Sequence, residues 1–218
     1  MVNFDLCVIT REVENLQRGH LEVGRAALGG GATIIQLRDK RLSGGALLEL
    51  ATALRRLTHE HGASFIVNDR VDIALASGAD GVHLGKEDVP IPVARRLLGP
   101  EAIIGASVDN PRDARAAEAA GASYLGVGPV FATSSKPDAG AAIGVAPIAQ
   151  ITRVVAIPVL AIGGLTCDNV ASAVEAGANG IAVVSAVAEA DDMEAAARAL
   201  LGAVRAARRT QDQREQCG

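Results

Sequence analysis

Short runs of β-branched and other apolar residues recur along the 218-residue chain, at positions 6–10, 33–38, 64–68, 81–84, 102–107, 124–127, 158–162 and 180–184. Most are apolar at successive positions, the pattern of strands covered on both faces, as in a parallel sheet. Segments rich in Ala, Leu, Arg and Glu lie between them. Their periodicity predicts helices at 21–28, 47–61, 114–120, 170–176 and 193–208, and more faintly at 70–77 and 93–98.

An internal repeat sharpens the count. Gly-Ala leading into an apolar strand occurs in Ala76-Ser-Gly-Ala-Asp-Gly-Val-His-Leu84, Ala119-Ala-Gly-Ala-Ser-Tyr-Leu125 and Glu175-Ala-Gly-Ala-Asn-Gly-Ile-Ala-Val183. Looser copies begin at Gly30 and His61. Each glycine is placed to end a helix in the left-handed conformation and turn the chain into a strand. One strand per helix, eight times over, predicts a (β/α)8 TIM barrel as a single domain over 1–204, followed by a polar, frayed tail at 205–218. An open doubly wound sheet would carry a glycine-rich turn after its first strand, and Thr10-Arg-Glu-Val-Glu-Asn15 has none.

Composition narrows the function classes. With 21 basic against 25 acidic residues there is no broad basic face for nucleic acid, and 2% aromatics leave no base-stacking platform. The three cysteines, Cys7, Cys167 and Cys217, have no metal-ligand spacing and read as reduced thiols. Met1 leads straight into Val2-Asn-Phe-Asp-Leu-Cys-Val-Ile9 without a basic flank, and no uncharged stretch is long enough to span a bilayer. A cytoplasmic protein is expected, its partners small molecules rather than nucleic acid or membrane; a homodimer is compatible with this composition.

The polar chemistry gathers where strands end, which in such a barrel is one face and the place of the active site. The second strand ends in Gln36-Leu-Arg-Asp-Lys40, the third in Asn68-Asp69, and Gly85-Lys-Glu-Asp88 follows the fourth. The fifth ends at Ser107, the seventh in Ile162-Gly-Gly164 and the eighth in Val184-Ser185. Gln36, Arg38 and Lys40 share one side of their strand and Leu37 takes the other. Arg38 and Lys40 supply a fork and a point charge suited to a diphosphate, or else pair with helix carboxylates. Asp69 and Asp88 are suited either to capping the helices that follow or, together, to holding a hard cation such as Mg²⁺ beside phosphate oxygens.

After the sixth strand, Gly126-Val-Gly-Pro-Val-Phe-Ala-Thr-Ser-Ser-Lys-Pro-Asp138 places Thr133, Ser134, Ser135 and Lys136 in one loop. It reads as a polar surface loop or as an anion cradle of hydroxyls, backbone N–H groups and an ammonium. The bare backbone around Gly164, Val184 and Ser185 suits a phosphate monoester. Two anion pockets, one built for a good leaving group, point to a transferase. His20, His59, His61 and His83 read as hydrogen-bonded structural residues, and Cys167 and Glu87 as incidental.

These motifs, in order, resemble the thiamine phosphate synthase family: Gln36-Leu-Arg-Asp-Lys40, Phe65-Ile-Val-Asn-Asp69, Gly81-Val-His-Leu-Gly85 with Glu87-Asp88, Gly126-Val-Gly-Pro-Val-Phe131, Thr133-Ser-Ser-Lys136, Ala161-Ile-Gly-Gly164 and Val183-Val-Ser185. The resemblance covers residues 4–204 and implies a Mg²⁺-dependent transfer. Hydroxymethylpyrimidine diphosphate and thiazole phosphate would give thiamine monophosphate and pyrophosphate through a pyrimidine-stabilised carbocation. It implies that Gln36, Leu37, Arg38, Asp39, Lys40, Asn68, Ser107 and Lys136 hold the pyrimidine diphosphate, with Arg38, Lys40 and Lys136 serving catalysis. Asp69 and Asp88 would bind Mg²⁺. Thr133, Ser134, Ser135, Gly164, Val184 and Ser185 would hold the thiazole phosphate. Lys86 stands where the family usually has Gln, Asp109 where His is frequent, and Cys7 where Tyr is common. A thiazole tautomerase-like isomerase, which needs no diphosphate or metal set, and a non-catalytic phosphate-binding barrel are the alternative readings.

Overall fold

The structure, a computed structural model, describes residues 2–135 and 140–216. Eight parallel strands close into a barrel in chain order: β1 (Leu6–Thr10), β2 (Ile34–Leu37), β3 (Ser64–Asn68), β4 (Gly81–Leu84), β5 (Ile103–Val108), β6 (Tyr124–Val127), β7 (Val159–Ile162) and β8 (Gly180–Val183). The outer helices are α1 (His20–Gly29), α2 (Gly44–Glu60), α3 (Val71–Ser77), α4 (Ile91–Leu98), α5 (Pro111–Ala119), α6 (Ala146–Thr152), α7 (Val170–Glu175), α8 (Ser185–Ala188) and α9 (Met193–Gln216). The expected (β/α)8 fold is the observed one. The repeat glycines Gly31, Gly62, Gly78, Gly121 and Gly177 all have positive φ, as their position before each strand requires.

The period of two along each strand separates two apolar layers. Leu6, Val8, Ile35, Leu37, Phe65, Val67, Leu125 and Val127 face outward into the large core shared with the helices. Cys7, Ile9, Ile34, Ile66, Ile103, Tyr124, Leu160 and Ala182 fill the barrel itself. The same inward phase, followed to the strand ends, carries Gln36, Asn68, His83 and Ser107. Register sets Asn68 opposite His83, His83 opposite Gly105, and Ser107 opposite Gly126.

Two short helices, α6 and α8, of 7 and 4 residues, lie outside the predicted helical segments. The larger correction concerns the C-terminus. The chain does not fray after 204: α9 runs through Gln216, packed on α1 and α7. Its buried face (Met193, Ala197, Leu200, Leu201, Val204, Ala207) extends past residue 204. The arginines that make the segment read as solvated are partly spent on the barrel floor. Arg205 Nε donates to Asp5 Oδ2 at 3.2 Å, and Arg208 pairs with Asp5 Oδ1. Asp5 is buried just ahead of β1, so the pair ties the two ends of the domain together.

Removing a partner from a buried carboxylate leaves it poorly solvated. Arg208→Ala should therefore lower stability by about 1–2 kcal/mol in urea unfolding followed by circular dichroism. The same change in an Asp5→Ala background should cost clearly less. Equal costs in both backgrounds would mean that the ion pair contributes nothing.

Candidate active site

Among the cavities at the C-terminal ends of the strands, two lie side by side. The larger, about 630 Å³, is walled by Gln36, Arg38, Lys40, Asn68, Asp69 and Asp88 among others. The smaller, about 170 Å³, is lined by backbone and small or apolar groups from the β6, β7 and β8 ends, including Gly126, Pro129, Thr133, Gly164, Leu165 and Ala182. Ser107, Ser135, Ile162 and Val184 line both. One chamber is charged, the other mostly apolar, and they share a wall.

In the charged chamber, neither aspartate caps a helix: α3 and α4 have no side-chain cap. Asp69 holds a left-handed backbone, φ 62°, at the end of β3, where its N–H still donates to His83 O at 2.8 Å. That uncommon conformation turns its carboxyl toward Asp88. The Asp69 carboxyl is pushed up to about 6, first by burial and then by the hydrogen bond and charge of Asp88, against the pull of Lys40 and Arg38. Lys40 Nζ lies 3.7 Å from Asp69 Oδ2, and Asp88 Oδ2 accepts from Gly85 N at 2.7 Å. Two carboxylates pressed together and half desolvated are a donor set that a hard cation would satisfy. Among the described residues no group of three or more His, Cys, Asp or Glu side chains gathers, so further ligands would be water and substrate oxygen.

Not every residue of the Gln36–Lys40 run faces the chamber. Leu37 is buried in the outer core, so only its backbone is available. Asp39 is committed to its own loop: Oδ1 accepts from Arg41 N (2.7 Å) and Leu42 N (2.8 Å), and Oδ2 lies 3.2 Å from His20 Nε2. Burial pushes its pKa up, but those backbone bonds and His20 outweigh it and hold the carboxyl below its ordinary value. His20 Nδ1 lies 2.8 Å from the Thr10 hydroxyl. A buried Thr10–His20–Asp39 chain thus anchors the loop that presents Arg38 and Lys40.

At the smaller cavity the β6 loop is strapped to β7. Val130 N donates to Ile162 O (2.9 Å) and Phe131 N to Gly163 O (3.0 Å). Gly163 and Gly164 both have positive φ, and a Cβ on Gly164 would come within 2.5 Å of Ala132 O, so only glycine permits this closeness. The strap brings the Ser135 hydroxyl to donate to Ser185 Oγ at 2.9 Å, beside Thr133, Gly164 and Val184. Ser134 is exposed and lines neither cavity. Lys136 lies outside the described residues.

The sequence model described as "Thiamine monophosphate synthase" matches residues 6–187. The chain belongs to this family. It is 52% identical over 208 residues to the thiamine-phosphate synthase of Moorella thermoacetica, covering 95% of this chain and 99% of that one. It is 49% identical to the thiamine-phosphate synthase of Methanoculleus marisnigri, covering 95% and 98%. The solved thiamine phosphate pyrophosphorylase from Pyrococcus furiosus superposes with a TM-score of 0.86 at 45% identity, covering 94% of this chain and 98% of that one.

Against the family's pattern, two of the three departures turn out to be partners. Lys86 Nζ donates to Asp109 Oδ2 at 2.7 Å and lies 3.1 Å from Asp113 Oδ2, bridging the β4 and β5 loops. The hydrogen bond from Lys86 chiefly lowers the Asp109 pKa, and Asp109 raises that of Lys86. The third, Cys7, is sealed inside the barrel, where burial pushes its thiol up to about 12. Cys167 is an exposed free thiol, and His61 Nδ1 lies 2.9 Å from Leu57 O. His83 is hydrogen-bonded as expected, but to a site residue: Nε2 is 2.9 Å from Ser107 Oγ and Nδ1 is 2.9 Å from the Tyr124 hydroxyl. Tyr124 was missed altogether. The available signal was phase: both residues sit on the inward face of strands whose neighbouring inward positions are glycine.

Burial lowers the His20 pKa below its ordinary 6.5, outweighing the Asp39 hydrogen bond. The unfolded chain then binds more protons at this site than the folded one, so the stability it contributes is present above pH 6.5 and lost as pH falls below it. His20→Gln should lose stability less steeply than the parent between pH 7 and about 5.5 in urea titrations. Parallel pH profiles would show that His20 is not buried neutral.

Proposed function

We propose that this site joins a pyrimidinylmethyl diphosphate to a thiazole phosphate, releasing pyrophosphate and leaving thiamine monophosphate. The observation that carries the reading is the pair of chambers of opposite character sharing Ser107, Ser135, Ile162 and Val184. Two anionic reactants placed on either side of that wall meet at their reacting ends. The family membership and the names of the relatives support the same reaction.

Arg38 and Lys40, with Lys136 by resemblance to the family, receive the diphosphate, and Asn68 and Ser107 add neutral donors to its oxygens. Asp69 and Asp88 would hold Mg²⁺, which when bound offsets the charge developing on the departing diphosphate. Gln36, inward and buried, faces the pyrimidine. The thiazole ring takes the small apolar chamber, and its phosphate is met by the backbone and hydroxyls of Thr133, Ser135, Gly164, Val184 and Ser185.

The bond from the pyrimidine methylene carbon to the diphosphate oxygen breaks with both electrons leaving on oxygen. The thiazole nitrogen then supplies the pair for the new C–N bond. No protein nucleophile and no protein acid is required, because pyrophosphate leaves as an anion. The protein's part is to hold the two reactants in line and stabilise the leaving group in a fixed, partly dry site.

No helix among the described residues is long and apolar enough to cross a membrane, and a cytoplasmic enzyme of small-molecule substrates fits this reading. A homodimer is compatible with this reading.

Purified protein given both substrates should release pyrophosphate and form thiamine monophosphate in equal amounts. EDTA should stop the release and Mg²⁺ restore it. Asp69→Ala should lower kcat on the order of 10²-fold or more. Folded protein that binds both substrates and releases nothing would overturn the proposal.

A further inference from the structure

Between the two chambers, beneath Ser107, the barrel interior holds a polar chain in otherwise apolar packing. Tyr124 rises from β6 and is fully buried, His83 comes from β4, and Ser107 ends the inward row of β5. The Tyr124 hydroxyl is 2.9 Å from His83 Nδ1, and His83 Nε2 is 2.9 Å from Ser107 Oγ. The rings tilt against each other at 39° with centroids 5.5 Å apart.

The backbone is cleared for this pair. A Cβ on Gly105 would overlap the Tyr124 hydroxyl and come within 2.5 Å of His83 Nδ1, and one on Gly126 would lie 3.1 Å from His83 Cε1. Two inward strand positions therefore give up their side chains to the two rings. Glycine weakens a strand interior, so its presence here reflects the close approach of another group.

The polarity of the chain follows from its far end. The Tyr124 phenol is fully buried, and burial pushes its pKa well up, so it keeps its proton. That proton needs an acceptor, because a buried hydroxyl left unpaired is costly, and the His83 ring lies 2.9 Å from the hydroxyl. Nδ1 of His83 is that acceptor. A neutral imidazole accepting at Nδ1 carries its proton on Nε2, which donates to Ser107 Oγ.

We propose that His83 and Tyr124 are positioning residues that make Ser107 an obligate hydrogen-bond donor: Tyr124 donates to His83 Nδ1, His83 Nε2–H to Ser107 Oγ, and the Ser107 hydroxyl to the diphosphate. The inference rests on the proposed reaction, in which Ser107 stands at the wall the two substrates share. In the opposite polarity Ser107 would spend its proton on His83 and present only lone pairs to an anion. The chain moves no proton during turnover. It sets direction before the ligand arrives, which is how a fixed dipole stabilises a leaving group without reorganising.

The first test reads the tautomer in the full chain without substrate. ¹⁵N NMR, with the His83 ring assigned through its proton correlations, should show Nδ1 unprotonated and Nε2 protonated. Tyr124→Phe, which removes the donor to Nδ1, should shift it toward a mixture. A wild-type ring protonated on Nδ1 overturns the proposal.

The second test uses inorganic pyrophosphate with Mg²⁺ as a probe, by calorimetry. His83→Leu and Ser107→Ala should each weaken binding about tenfold, as expected for one lost hydrogen bond to a charged group. The double variant should be no weaker than Ser107→Ala alone. His83→Gln, whose amide N–H reaches the Nε2 position, should recover part of the loss. In turnover the same variants should lower kcat by a larger factor than they raise KM. Additive losses in the double variant, or full pyrophosphate affinity in His83→Leu, overturn the relay. Wild-type protein that binds pyrophosphate with the expected tautomer but releases none from the substrates would count against the proposed reaction and leave the relay standing.

Discussion

Everything functional in this molecule depends on the period of two in a closed parallel sheet. Because the barrel closes, each strand has one face toward the axis and one toward the helices, and neighbouring strands hold that phase fixed. Deep in the barrel the inward phase is apolar, with Cys7, Ile34, Ile66, Ile103 and Leu160 in contact. Toward the C-terminal ends the same phase turns polar, through Gln36, Asn68, His83 and Ser107. A slip of one residue in any strand would swap that strand's site residue for an outer-core residue such as Leu37 or Val67. The hydrophobic core and the site are thus specified by one pattern.

That explains how much could be read from the sequence. The barrel, the strand order and the clustering of Arg38, Lys40, Asn68, Asp69, Asp88, Ser107 and Ser135 follow from local runs and one rule about where loops converge. Contacts set by closure did not. Asp39 reads like its neighbours, yet its carboxylate is taken by His20, 19 residues away in sequence. His83 and Tyr124 are 41 residues apart and meet only because Gly105 stands between their strands without a side chain. The end of α9 misleads for a related reason. Arg205 and Arg208 look solvated until Asp5, some 200 residues earlier, is placed beneath them.

The two chambers differ in how they meet charge. The large one gathers Arg38 and Lys40 against Asp69 and Asp88, so each sign partly offsets the other before any ligand binds. Burial first, and then the neighbouring Asp88, still push the Asp69 carboxyl up against the pull of Lys40 and Arg38. The small one relies on close-packed backbone, made possible by Gly163 and Gly164, and on the paired hydroxyls of Ser135 and Ser185. A diphosphate with its cation requires full charges. A monoester at the end of an apolar ring can be held by N–H groups and hydroxyls, which leave the ring's chamber dry.

The Lys86–Asp109 pair shows how such a balance tolerates change. A lone lysine beside Asp88 would draw the carboxylate away from a cation, and a lone aspartate at 109 would add negative charge at the mouth of an anion site. Joined at 2.7 Å, with Asp113 at 3.1 Å, the lysine is occupied by acids on the β5 side. Both groups are about half exposed, so the bridge contributes little to stability, and its consequence is electrostatic. Two departures that each would disturb the site alone cancel locally when they occur together. Lys40, 3.7 Å from Asp69, and Arg38 remain the cations whose charge acts on the Asp69 carboxyl.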